Sequence, residues 1–222
     1  MNLLGLVIAF FYVFIISKIY EWTCNATKKE KYIYSLYVLL LQLILEEIMY
    51  LLALDGYGLS KFLFPLLIFG YFVGFQKYDK SKGVFISLLF SLLYHSSSNF
   101  ISVTLSSITG DDIALEYNNY FVIFVLILTY LVIKIVISYF HLEFKYFDKD
   151  YLYPFFKKVF FALILLHSVS FISDIVSTTR HLNSFGSILS TIVFICLLLI
   201  FFAMNSYKVQ MEKEIALKQK KF

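Results

Sequence analysis

Seven side chains in this sequence set a carboxylate, imidazole or amide among long apolar runs: Gln42, Glu46, Glu47, His95, Asn99, His167 and Asp174. A carboxylate pair near an imidazole can do general acid–base work, and the same carboxylates can attract a cation. Gln42 and Glu46 stand at i, i+4 on one helix face, with Glu47 adjacent. Ser91, His95, Ser98, Asn99, Ser102 and Ser106 form a second stripe at helical spacing. His167, Ser170, Asp174 and Ser177 form a third. An ionisable group at mid-bilayer costs roughly 2.5–3.5 kcal/mol on insertion scales, so each needs a reason. Hydrogen bonding between helices accounts for the serines. A shared polar cavity better accounts for Glu46, Glu47 and Asp174, because no Lys or Arg stands at their depth to neutralise them.

Catalytic readings are weaker. Glu46-Glu47 and His95-x-x-x-Asn99 resemble part of the set used by intramembrane glutamate proteases of the prenyl-endopeptidase type. Those proteases also carry Glu-Glu-x-x-x-Arg and Phe-x-x-x-His. Here Leu51 holds the Arg position, and no Phe stands four residues before His95 or His167. A His-Glu-x-x-His pair, a Gly-x-Ser-x-Gly elbow and a phosphate-binding loop do not occur. Cys24 and Cys196 have no metal or redox spacing, and Cys196 reads as packing within an apolar run. A transporter would suit the polar stripes, but neither Gly/Pro-broken helices nor an inverted repeat is visible.

The elements that must carry these residues follow from composition. The 222 residues are 60% hydrophobic, with a mean hydropathy of +0.80, which excludes an ordinary soluble domain. The apolar runs are long and continuous, whereas a membrane β-barrel alternates apolar and polar residues. The fold expected is all-α: a polytopic transmembrane bundle of about seven helices. The spans run roughly Leu3–Ile19, Tyr32–Leu54, Leu59–Phe75, Val84–Leu105, Tyr120–Phe140, Phe155–Val176 and Gly186–Asn205. The third is short and contains Gly70 and Pro65, the latter placed near its first turn, where a missing N–H is tolerated. The first run lacks a basic segment before it, so it reads as a retained helix rather than a signal peptide.

Charge orients the bundle. The first, third and fifth connections and the C-terminal tail hold sixteen of the nineteen Lys and Arg residues. The opposite side holds Lys61 and Arg180, and Lys134 lies within a span, within snorkelling reach of the interface. The positive-inside rule then gives an N-out, C-in topology, with the Asn25-Ala26-Thr27 sequon on the cytoplasmic side. The net charge of +4 is thus loop charge, and no nucleic-acid partner is expected. The outer side carries Asp55, Asp111, Asp112, Glu116 and Asp174 against only two bases, an acidic mouth that would attract a cationic ligand. Acidic outer loops also follow simply from lacking Lys and Arg.

After Asn205 the character changes. Residues 207–222 are rich in Lys, Glu, Gln and Ala, good helix formers that would begin a cytoplasmic signalling helix after a sensor domain at 1–206. Met204, Met211, Ile215 and Phe222 fall at spacings of seven, four and seven, a short seam that could continue as a coiled coil. A solvated basic helix end explains the same residues. The chain stops within this pattern and reads as a piece of something longer.

Several stretches then carry a resemblance. They are Leu54-Asp-Gly-Tyr-Gly58, Phe62-Leu-Phe-Pro-Leu66, Ser106-Ser-Ile-Thr-Gly-Asp111 and Asp150-Tyr-Leu-Tyr-Pro154. His181-Leu-Asn-Ser-Phe-Gly-Ser-Ile-Leu189, Phe202-Ala-Met-Asn-Ser206 and the exit from Gln210 to Phe222 complete them. Together they resemble the membrane sensor region of Gram-positive peptide-pheromone receptor histidine kinases, the streptococcal competence receptors in particular. The resemblance implies a multi-pass protein of the bacterial plasma membrane that binds a short, linear, cationic amphipathic peptide outside the cell. It also implies a homodimer, and a following kinase region that uses ATP and Mg and phosphorylates a response regulator. His141 is not in a phosphoacceptor motif, so these residues alone are expected to have neither kinase activity nor a cofactor.

The peptide-binding residues expected are Glu46, Glu47, Tyr50, Asp55, Tyr57, His95, Asn99, Asp111, Asp112 and Asp174, with Arg180 meeting an acid on the peptide. Met204, Met211, Ile215 and Phe222 would form the signalling seam. The alternative is an intramembrane protease or peptide transporter, and the plainest reading is a scaffold embedded in lipid without a ligand.

Overall fold

The computed structural model describes residues 3–51, 57–109, 119–142, 153–177 and 183–219. These form seven α-helices and, among the described residues, no strand. The helices are α1 (Leu3–Cys24), α2 (Lys28–Leu51), α3 (Tyr57–Gly74), α4 (Lys80–Thr109), α5 (Asn119–Phe140), α6 (Tyr153–Ser177) and α7 (Asn183–Gln219). Each coincides with one expected span, extended by up to four residues at most ends. Long apolar runs almost free of Gly and Pro leave the backbone no other way to satisfy its own N–H and C=O groups away from water.

Among the described residues, four helices (α1, α4, α5 and α7) are long and apolar enough to cross a membrane. Within α3 and α6 the apolar stretches are shorter, Phe64–Gly74 and Lys158–Ile172. Pro65 corrects one expectation. It lies inside α3, eight residues past Tyr57, rather than near the first turn. It therefore removes an internal hydrogen bond to the carbonyl four residues earlier.

The bundle is organised around α4, which packs against α1, α3, α5, α6 and α7. In its apolar stretch 72% of the residues are buried, against 33–44% in the stretches of α1, α5 and α7. Small side chains make that position possible: Ser87, Ser91, Ser96 and Ser97 are all buried, and small residues let membrane helices approach closely. Gly83 serves the same end at the α3–α4 hairpin. A Cβ there would meet Val73 Cγ2 at 2.6 Å and Phe69 at 3.3 Å. α2 packs chiefly on α1 and α3 at the rim, while α6 and α7 share the most extensive contact in the bundle.

One end of the bundle is tightly finished. α1, α3 and α5 are followed by Asn25 (φ 51°), Lys77 (φ 54°) and His141 (φ 48°), each in the left-handed region that closes a helix C-terminus. The N–H of Leu142 then bonds the Ile137 carbonyl at 3.2 Å, and that of Gln76 the Tyr71 carbonyl at 3.3 Å. α2 opens with a capping box. The Glu30 N–H donates to Thr27 Oγ1 at 3.3 Å, while the Thr27 N–H and hydroxyl donate to the Glu30 carboxylate at 2.8 and 2.7 Å. Those two bonds, the backbone one foremost, hold the Glu30 carboxyl below its ordinary range.

Candidate functional site

Consecutive helices alternate in direction, so the C-terminal turns of α2, α4 and α6 and the N-terminal turns of α3, α5 and α7 share the other end of the bundle. Glu46, Glu47 and Tyr50 fall on the last turns of α2, Tyr57 opens α3, and Asp174 is on the last turn of α6. The backbone thus gathers these five at one end, and their side chains lie outside the described ones. Asp55, Asp111, Asp112, Arg180 and Phe222 lie outside the described residues altogether.

His95 and Asn99 are described. His95 is buried on α4, its ring edge-on to Phe64 at 5.5 Å and to Tyr94 at 5.1 Å. Tyr12 of α1 closes the group, 4.9 Å from Tyr94 and 5.6 Å from Phe64. Three helices therefore hold the imidazole in an aromatic frame, each edge-to-face contact contributing about 0.5–1.5 kcal/mol beyond its buried area. Asn99 lies one turn nearer the acid-bearing end, half-buried. Phe64 also lines a cleft with Tyr37, Val38, Leu41, Gln42, Leu67 and Ile68, so the residue packed on His95 borders the same cleft as Gln42 of the α2 stripe. That cleft holds about 10 Å³, room for about one water molecule.

The serine stripes divide by partner. Hydroxyls of Ser17, Thr23, Ser96, Thr129 and Ser168 donate to the carbonyl four residues back in their own helix, the local bond typical of hydroxyls in helices. Ser35 joins α2 to α1 through Ser17 Oγ at 2.8 Å. The hydroxyls of Ser91 and Ser97 are fully buried on α4 and have no hydrogen-bond partner among the described residues. Such groups are uncommon and cost about 1–3 kcal/mol each.

Sequence reasoning missed Tyr12, Phe64 and Tyr94, because hydropathy counts them as filler. The proximity of Tyr94 to His95 and of Phe64 to Pro65 was the available signal. Among the described residues no group of three His, Cys, Asp or Glu side chains is placed to hold a metal ion.

The expected output seam is placed differently along its length. Met204 is buried in the bundle core, while Met211 and Ile215 are half-buried. The boundary at 206/207 falls inside α7, which continues unbroken from Asn183 to Gln219, about 55 Å at 1.5 Å per residue. Phe155 at the start of α6 stacks on Tyr207 at 4.8 Å, where α7 leaves the apolar region. On the outer face of α7, Ile188, Ile192, Ile195, Leu199 and Phe202 are exposed at alternating spacings of four and three. No family model, curated protein or solved structure matches the chain.

Proposed function

We propose that this chain is the sensor region of a bacterial membrane receptor that detects a secreted cationic amphipathic peptide and signals to a cytoplasmic histidine kinase region. The reading takes the bundle as seven spans, N-out and C-in. The observation that carries it is α7. One helix joins the acid-bearing end, the apolar core and a charged stretch that outruns a hydrocarbon layer of about 30 Å by roughly 25 Å. A helix of this kind can transmit a shift at one face to a domain beyond the other.

The peptide is steered by Glu46, Glu47, Asp55, Asp111, Asp112 and Asp174 and buries its apolar face against Tyr50 and Tyr57. Burial supplies most of the affinity, and charge supplies association rate and selectivity. His95 and Asn99 lie beneath this mouth, and the packing of α4 on α6 and α7 offers the route from mouth to output helix. The exposed heptad row on α7 suits pairing with a second copy. The resemblance of stretches such as His181–Leu189 and Gln210–Phe222 to competence-pheromone receptors supports the same reading.

The test is saturable binding of a fluorescent cationic pheromone peptide to the purified chain in nanodiscs. Glu46→Lys, Asp111→Lys and Asp174→Lys are each expected to weaken binding about tenfold, mainly through slower association, with helix content unchanged. Equal affinity in all three variants would remove the electrostatic mouth. Cleavage or translocation of the peptide by the chain would replace the receptor with a protease or a transporter.

A further inference from the structure

Between α1 and α5, at the end of the bundle away from the proposed peptide mouth, lies a cleft of about 210 Å³. It is lined by Trp22, Lys134, Ile137, Ser138, His141 and Leu142. Lys134, Ser138 and His141 stand at i, i+4 and i+7, one face of α5 continued into its cap, and all three are exposed. Ile137 and Leu142 are buried and form an apolar floor. Trp22 is half-buried and braced by Tyr130, whose ring lies 5.4 Å away.

The lining supplies an ammonium, a hydroxyl, an imidazole and an indole N–H, all able to donate hydrogen bonds, and no carboxylate. The carboxylate next to Trp22, that of Glu21, is already held by Lys18 at 2.9 Å and Lys31 at 2.6 Å. A donor-rich cationic cleft of this kind suits an oxyanion. Its volume falls below the roughly 300 Å³ of small-molecule pockets. The same face of α5 continues through exposed Leu131 and Ile127, in line above Lys134. A polar head seated at Lys134 would therefore have a ready apolar track for a hydrocarbon tail.

We propose that this cleft binds the phosphate headgroup of an anionic membrane phospholipid. Lys134 counters its charge, Ser138 and Trp22 donate hydrogen bonds, and an acyl chain lies along Leu131 and Ile127. The proposal rests on the membrane topology proposed above, which sets this end of α5 at the anionic cytoplasmic leaflet. Lys134 then has a ligand, where snorkelling alone gives it only an escape from the apolar layer.

Trp22 is the sole tryptophan of the chain, so its fluorescence reports on the site directly. The full chain is reconstituted with brominated phosphatidylglycerol or brominated phosphatidylcholine as quencher. Phosphatidylglycerol is expected to quench Trp22 at a mole fraction about fivefold lower or better. Lys134→Gln combined with His141→Gln should abolish that preference, while Lys134→Arg, and Lys218→Gln in the last turn of α7, retain it. Equal quenching by both lipids, or a preference that survives the double substitution, overturns the site. Displacement of the lipid by millimolar inorganic phosphate or glycerol phosphate assigns the cleft to a soluble phosphate and overturns the lipid assignment. Retention of the preference by Lys134→Arg separates loss of charge from misfolding. A preparation that binds peptide without lipid preference loses only this site, and one with the preference but no peptide binding loses only the receptor reading.

Discussion

Thr27 shows how much one residue can carry beyond the motif it first suggests. It completes the Asn25-Ala26-Thr27 sequon, yet its structural work is to cap α2 together with Glu30. Losing such a cap costs about 0.5–2 kcal/mol, and here it also carries a pH signature. The Glu30 carboxyl titrates below its unfolded value, near 4.3. Its contribution is therefore fully present above that value and is lost as pH falls through the folded one. Thr27→Ala should lower stability by about 1 kcal/mol at pH 7, the difference narrowing as pH falls below the unfolded carboxyl range and Glu30 protonates. Thr27→Ser should stay close to the parent. Thermal unfolding in detergent across that pH range checks both, and an unshifted Thr27→Ala transition at pH 7 would refute the cap. The Thr-x-x-Glu signature before an apolar run stands in the sequence, but the sequon reading of Thr27 passed over it. The aromatic frame of His95 was only partly legible: Tyr94 is its neighbour in sequence, but nothing local says that Phe64 packs on the imidazole or that Tyr12 packs on Phe64 and Tyr94.

At the level of elements, the helices were legible and their neighbours were not. Long apolar runs bounded by Lys, Asp and Asn set most helix ends to within a few residues, because the backbone constraint is strong and local, whereas α1 runs five residues past Ile19 and α7 fourteen past Asn205. Which face of each helix turns inward is another matter. α1, α5 and α7 are apolar round most of their circumference, so hydropathy gives no preferred side, and small residues decide it instead. Gly83 is the clearest case, since α3 approaches it within 2.6 Å of where a Cβ would stand. Gly83→Ala would press on Val73, a branched side chain with little freedom to move. The expected cost is about 1–3 kcal/mol, the usual penalty of overpacking. Gly74→Ala, with open space around its Cβ position, should change little. Comparing the two by thermal unfolding in detergent tests close α3–α4 approach, and equal transitions for both would contradict it.

The whole molecule has a polar-donor end and an acid-bearing end, and its function depends on which faces the cell. Charge counting leads us to propose that the Lys-rich end faces the cytoplasm. Left-handed caps at Asn25, Lys77 and His141, the Lys18–Glu21–Lys31 ion pairs and the charged turns of α7 all stand there. On that topology the charged end of α7 is inside, and Asn183 at the other end of the helix stands outside, beside the last turn of α6. Sidedness is then a direct prediction on a chain whose Cys24 and Cys196 are replaced by alanine. In intact cells an impermeant maleimide should label Asp111→Cys and Asn183→Cys. Lys80→Cys and Lys213→Cys should react only after permeabilisation. The inverse pattern would put the acidic mouth in the cytoplasm, where a secreted peptide cannot reach it, and the donor-rich cleft of α5 outside. A mixed pattern between Asp111 and Asn183 would mean that one of α5 and α6 fails to cross. Labelling of Lys80→Cys from outside, with Lys213→Cys protected, would instead locate a failure among α4 to α7, separating a wrong span count from a wrong orientation.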